Sequence, residues 1–166
     1  VEQNITKRKG SRFERARMAR LAAVQALFQL NFVCTKPEVV IQEFLAQRLT
    51  SPDYPYLPDK NLFLKIVQGS QAHKEIIQYH LSQCLKEGWS SERLDPVLVA
   101  ILTAAITEFI SQDSSVSAPV IISEYVDLTK GFFQGQEPAY VNKVLDQLAR
   151  TLNLSLKKSD SQSKSR

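Results

Sequence analysis

The stretch from Glu14 to Phe32, ERARMARLAAVQALFQLNF, contains neither Gly nor Pro and is rich in Ala, Leu and Arg, all good helix formers. Ala16, Ala19, Ala23, Ala26, Leu27 and Leu30 recur at spacings of three and four and therefore share one face. Leu21, Val24, Phe28 and Phe32 widen the apolar sector, and Gln25 with Gln29 leaves only a narrow polar stripe. A helix apolar over most of its circumference belongs at the centre of a bundle.

Working outward, the same helical period returns in each later segment. Thr35-Lys36-Pro37-Glu38 has the spacing of a capping box with Pro in the first turn, and predicts a helix carrying Val39, Val40, Ile41, Phe44, Leu45 and Leu49. Three prolines in residues 51–58 forbid regular helix and mark a surface loop. Asp59 then offers an N-cap for Leu62, Phe63, Ile66 and Val67, in a helix that Gly69 weakens without ending. Ile76, Ile77, His80, Leu81 and Leu85 continue at helical spacing to a stop at Gly88, before Trp89. Asp95-Pro96 opens a helix through Phe109, Ser117 or Ala118 opens one that stops near Gly131, and Pro138 opens the last, through Leu152. The expectation is an all-α fold of about seven helices, with no alternating strand pattern and no repeat of fixed period.

Net charge is +4, but it is unevenly placed. Residues 1–20 hold Lys7, Arg8, Lys9, Arg12, Arg15, Arg17 and Arg20 against Glu2 and Glu14; residues 157–166 hold four cations against Asp160. The middle is therefore acidic. Basic ends on an acidic body are the footprint of an anionic partner, against the plainer reading of a solvated tag, which suits the Ser-rich tail better than the first arm. Residues 1–12 read as a flexible basic arm, 13–154 as a single helical domain and 155–166 as a disordered tail. Cys34 and Cys84 have no CxxC partner and sit among apolar residues, which predicts buried thiols in a reducing cytoplasm. No run of about 18 apolar residues exists and the first residues are polar and basic, so neither a membrane span nor a secretory leader is expected.

Catalytic material is thin. His73 and His80 are seven apart, yet no Cys, Asp or Glu completes a zinc set with them, and no phosphate-cradling, nucleophile-elbow or metalloprotease motif is present. Glu108 and Glu124, amid apolar residues, read as hydrogen-bonded structural carboxylates. No enzyme activity, metal or cofactor is expected, and a binding protein is the better class. Arg and Lys neutralise phosphates, and Arg planes and aromatic rings stack on unpaired bases. Phe13, Phe28, Tyr125, Phe132, Phe133 and Tyr140 are the aromatic candidates, each more readily explained as core.

At these residues the chain resembles the NusB family. The run from Arg20 through Ala22-Ala23-Val24-Gln25-Ala26-Leu27-Phe28 matches the family's opening helix. Arg93-Leu94-Asp95-Pro96-Val97 with Ala100-Ile101-Leu102 and Glu108, Ile122 through Leu128, and Tyr140 through Asp146 match its carboxy-terminal half in order and spacing. The resemblance covers roughly residues 12–150. It implies two helical subdomains packed at a steep angle, with a seam near residues 70–90. It further implies a transcription antitermination factor that pairs with NusE, a small-subunit ribosomal protein. The pair would bind the single-stranded boxA element of nascent ribosomal RNA and join RNA polymerase with other Nus factors. The same fold also opens a ribosomal RNA cytosine methyltransferase, for whose catalytic domain 166 residues leave no room.

Carried over by position, the resemblance assigns RNA contacts to Lys7, Arg8, Lys9, Arg12, Arg15, Arg17, Phe28, Gln136 and Tyr140. Phe28 stands where the family often has Tyr, Gln136 where some members carry Asp, and Lys143 where Gly is frequent. The NusE side is carried over to Leu98, Val99 and Thr103, positions commonly charged in the family. A homodimer through the same apolar face is the further possibility. Arg20 is expected to serve structure as well as any RNA role. The competing class is a protein-only interaction module of this fold without sequence-specific RNA binding.

Overall fold

A computed structural model describes residues 8–85, 94–111 and 115–154. Within them the chain forms helices and no strand. Helix α1 spans Arg12–Phe32 and starts two residues before Glu14, because Ser11 and Glu14 form a reciprocal capping box. Its Ala19, Ala22, Ala23 and Ala26 are fully buried, and these small side chains let the helices Lys60–Ala72 (α3) and Pro96–Ile110 (α5) lie close against it. Apolarity and burial nevertheless part company at its surface. Phe13, Phe28 and Phe32 are 77%, 37% and 62% exposed.

Helix α2, Pro37–Glu43, runs straight into a π-helical turn, Phe44–Arg48, closed by the Leu49 N–H donating to the Phe44 carbonyl at 2.9 Å. The Thr35 capping box does not form: Lys36 is the N-cap and gives no side-chain bond, the fixed φ of Pro37 sufficing to start the helix. The wide turn buries Phe44 and Leu49 together while leaving Arg48 outside. Helix α3, Lys60–Ala72, is capped by Asp59, which accepts from the Asn61 and Leu62 N–H groups. Gly69 stays helical, and its bare Cα admits Thr107 of α5: a Cβ there would lie 2.9 Å from Thr107 Cγ2. The chain breaks at His73 and continues as α4, Lys74–Leu85. The stop expected at Gly88 and Trp89 lies outside the described residues.

Helix α5, Pro96–Ile110, begins on the Asp95 cap and buries ten of its fifteen residues. It touches α1, α3, α4 and the two helices that follow it, so the most apolar helix is also the hub. Helices α6, Ala118–Phe132, and α7, Glu137–Thr151, pack as a hairpin on it. A single hydrophobic core runs through all seven helices.

One polar network crosses that core. Arg20 of α1 donates to both carboxylate oxygens of Glu108 of α5, at 2.8 and 3.0 Å. The Tyr125 hydroxyl of α6 donates to the same Glu108 at 2.6 Å. Burial alone would pull the Arg20 pKa down, but the bonds and charge of Glu108 hold it above its ordinary value. Burial, and then the Glu108 charge, pushes the Tyr125 hydroxyl well up. The two carboxylates expected to be structural are so: Glu124 takes Arg17 in a two-point pair with both contacts at 3.0 Å. The cysteine expectation holds in half. Cys84 is half-buried, its thiol pKa raised by burial, whereas Cys34 is exposed beyond the end of α1.

Candidate nucleic-acid face

The basic segment is held onto α1 by the proline-rich loop, which accounts for the start of the site. A proline offers no N–H, so the loop's spare groups are carbonyls, and arginine, which only donates, complements them. Arg8 donates to the carbonyls of Thr50, Ser51 and Tyr54, and Arg15 Nε to that of Leu57 at 3.3 Å. Main-chain bonds run the same way, from Leu57 N–H to the Arg8 carbonyl at 2.8 Å and from Asp59 N–H to the Arg15 carbonyl at 3.0 Å. Gly10 turns the chain at φ +59°, with the Tyr56 ring so close that a Cβ would lie 2.9 Å from it. Glu14 ties the corner together. Its pKa is lowered first by the Ser11 N–H, then by the Ser11 hydroxyl and by Tyr56.

This clasp divides the arginines and lysines expected to meet RNA. Arg8 and Arg15 are committed to loop carbonyls, and Arg17, its pKa raised by its bond to Glu124, is ion-paired yet still 55% exposed in its side chain. Lys9 and Arg12 are exposed and make no ion pair among the described residues. Lys7 lies outside the described residues. The basic arm is therefore placed from Arg8 onward, and Arg12 is already helical.

Phe28 opens onto a groove of about 420 Å³ with Val24, Gln25, Phe32, Arg48 and Phe132 among its walls. A second, apolar groove between α1 and α6 runs past Met18 and Leu21 from the Arg17–Glu124 pair to the same Phe132. Arg17 and Phe28, eleven residues apart, share a helical face about 16 Å apart along the axis. Gln136 is exposed at the N-cap of α7. Tyr140 is half-buried, its pKa raised by burial and then by neighbouring Cys84 of α4, and it does not line the Phe28 groove. Among the other aromatics, Tyr125 is core, Phe133 half-buried, and Phe132 43% exposed.

On the other side of α5, Leu98 is 2% exposed. A side chain inside the core cannot meet a partner, so Leu98 is removed from both the NusE contact and the homodimer face. Val99 and Thr103, one turn apart and half-buried, instead line a small cavity of about 130 Å³ with Leu27, Leu30, Lys74 and Ile77.

Comparison with known proteins then decides the family. The NusB family model matches residues 17–150. A transcription antitermination protein NusB from Gluconobacter oxydans is 42% identical over 142 residues, covering 82% of this chain and 87% of the relative. The chain belongs to the NusB family. Similar NusB proteins from Bartonella tribocorum and Caulobacter vibrioides are 40% and 34% identical, spanning 82% and 85% of this chain and 88% and 96% of their own. Two solved structures share the fold at 24% identity. One is NusB of T. maritima, with a TM-score of 0.69 over 86% of this chain and 92% of that one. The other is a chain in a crystal structure described as a plectonemic RNA supercoil, with a TM-score of 0.68 over 84% and 96%.

The NusB-family positions carried over from the sequence thus fall on three surfaces. Lys9, Arg12 and Arg17 lie at the start of α1, Phe28 lies in the aromatic groove, and Gln136 and Tyr140 lie at the start of α7. Missed by sequence reasoning were Arg48, which the π-turn swings to the groove, and Tyr56, which holds Gly10. Phe44 and Arg48 are four residues apart, a spacing that could have suggested their contact; nothing in the pattern announces the wide turn.

Proposed function

We propose that this chain is a transcription antitermination factor that binds the single-stranded boxA element of nascent ribosomal RNA leaders as a heterodimer with NusE, within an RNA polymerase complex containing other Nus factors. Family membership supports the antitermination role. The observation carrying RNA binding is the clasp. It anchors the segment that carries Lys9 and Arg12, both exposed, to the start of the helix on which Arg17 and Phe28 stand, so that cations and a stacking surface belong to one fixed element. For NusE, Val99 and Thr103, half-buried beside a small, partly apolar cavity, are the candidate seat.

If about four phosphates of single-stranded RNA are neutralised, log affinity should fall against log salt with a slope of about −3, roughly fiftyfold between 50 and 200 mM. Replacing Lys9 and Arg12 together by Ala should weaken boxA RNA binding and reduce the slope by about 1.4. An unchanged slope would sink the assignment. The competing protein-only module draws on the commitment of Arg8, Arg15 and Arg17 to partners within the chain. It predicts a NusE complex indifferent to salt and no RNA shift under any condition.

A further inference from the structure

Four charged side chains alternate in sign from the core outward: Glu108 of α5, Arg20 of α1, Glu124 of α6 and Arg17 of α1. Arg17 and Arg20 are three residues apart on one helix, so they share a face and reach the two carboxylates in turn. Arg20 engages Glu108 through its Nε and NH2 groups, and its NH1 lies 4.0 Å from Glu124 Oε2. Glu124, with a side chain only 16% exposed, therefore has a buried cation on its inner side. On its outer side it accepts from Arg17 Nε and NH2, both at 3.0 Å. This bond takes two of the five N–H donors of the planar guanidinium and leaves three on the edges turned away from Glu124. The side chain of Arg17 is still 55% exposed, and its remaining edge, NH1 with NH2, has the fork geometry that fits a phosphate.

We propose that Glu124 is a positioning residue for RNA binding: it clamps one edge of Arg17 so that the opposite edge stands preset to take a phosphate. The proposal rests on the RNA-binding reading and adds to it an acidic residue, the sign that a surface for a polyanion ordinarily excludes. Stability accounts poorly for the outer pair. Water screens an ion pair whose cation is more than half exposed, and Arg20 already has both oxygens of Glu108. A free arginine gives up many rotamers when it meets a phosphate, whereas one clamped by a neighbouring helix has given them up on folding. The clamp itself is fixed, because Arg20 holds Glu124 from behind. Asp127, one turn further along α6, lines the same side groove but is paired with Lys130 at 3.3 Å. Charge alone acts in the opposite sense: a carboxylate beside a polyanion repels it, so its removal would tighten binding.

The test measures binding of a short single-stranded boxA RNA to the full chain over a range of salt concentrations. Glu124→Ala should weaken binding about two- to tenfold, the cost of ordering one long side chain, and reduce the salt slope by about 0.7 as the Arg17 phosphate contact is lost. Glu124→Gln carries the same charge as Glu124→Ala but keeps an oxygen for Arg17, so it should fall between Glu124→Ala and wild type. In an Arg17→Ala background, Glu124→Ala should no longer weaken binding. Melting curves show whether each variant is folded, and if Glu124→Ala melts early, Glu124→Gln against wild type decides by the same sign. Tighter binding by the Glu124 variants overturns the proposal and makes Glu124 a competitor of RNA for Arg17. Binding that Lys9→Ala/Arg12→Ala weakens but both Glu124 variants leave unchanged also overturns it, and leaves the RNA reading standing. Absence of any RNA binding by wild type overturns both.

Discussion

Arg20, Glu108 and Tyr125 come from three helices and meet where water is excluded, so each side chain's stability depends on the other two. Removing one partner leaves an uncompensated buried charge. Arg20→Ala should cost about 3–5 kcal/mol in urea unfolding, and Arg20→Met combined with Glu108→Leu should recover most of that loss, because the pair's desolvation cost disappears with it. Tyr125→Phe removes a hydrogen bond to a charged group and should cost about 1–3 kcal/mol. Its pH dependence has a definite sign. The folded-state pKa of Tyr125 is raised, so its contribution is fully present below the ordinary tyrosine value of about 10 and is lost as pH rises beyond it. The urea midpoint should therefore fall above about pH 10 in wild type and fall less steeply in Tyr125→Phe. A residual slope is expected from Tyr54 and Tyr140, whose pKa values burial also raises.

Among the elements, the entry to α1 depends on a loop some forty residues later. Gly10→Ala places an L-residue at φ +59° and presses a methyl into the Tyr56 ring; the backbone term alone is about 1–2 kcal/mol. It should loosen the clasp, and faster protease cleavage within residues 51–58 is the readout. Arg8→Ala should do the same by releasing three carbonyls, while Lys9→Ala should leave cleavage unchanged. Where α3 crosses α5, Gly69→Ala should cost about 1–3 kcal/mol of thermal stability through its clash with Thr107 Cγ2. Thr107→Ser should relieve that cost while keeping the hydroxyl bond to the Thr103 carbonyl.

For the whole molecule, the two proposed surfaces, the basic and aromatic face of α1 and the Val99–Thr103 face of α5, are lined by different residues. Mutations on one should not disturb the other. Val99→Glu should abolish co-purification of NusE from extract while leaving the weaker RNA-only shift and its salt slope intact; a loss of both would show one shared surface. The helices were readable because their periodicity is local: α3 and α5 start on the expected caps Asp59 and Asp95, and α1 and α7 start within two residues of the expected Glu14 and Pro138, since such signals act on groups a few bonds away. The site was only half readable. Leu98 falls in line with Ile101, Leu102 and Ala105 while Val99 has Thr103 one turn on, so the helical period itself points Leu98 at the core, against the surface role that the resemblance carried over to it.

The apolar, Gly-free stretch from Glu14 to Phe32 by itself determined a central helix, and its preceding cations set the expectation of an anionic partner, because propensity and charge are properties of the residues. What the tertiary structure decided is which of those residues remain available. Long-range contacts committed Arg8 and Arg15 to a loop and Arg20 to the core, sank Leu98, and left Lys9, Arg12, Phe28 and Phe32 facing solvent. Burial and hydrogen bonding are satisfied across the chain rather than along it, and only the fold says which groups each residue finds opposite.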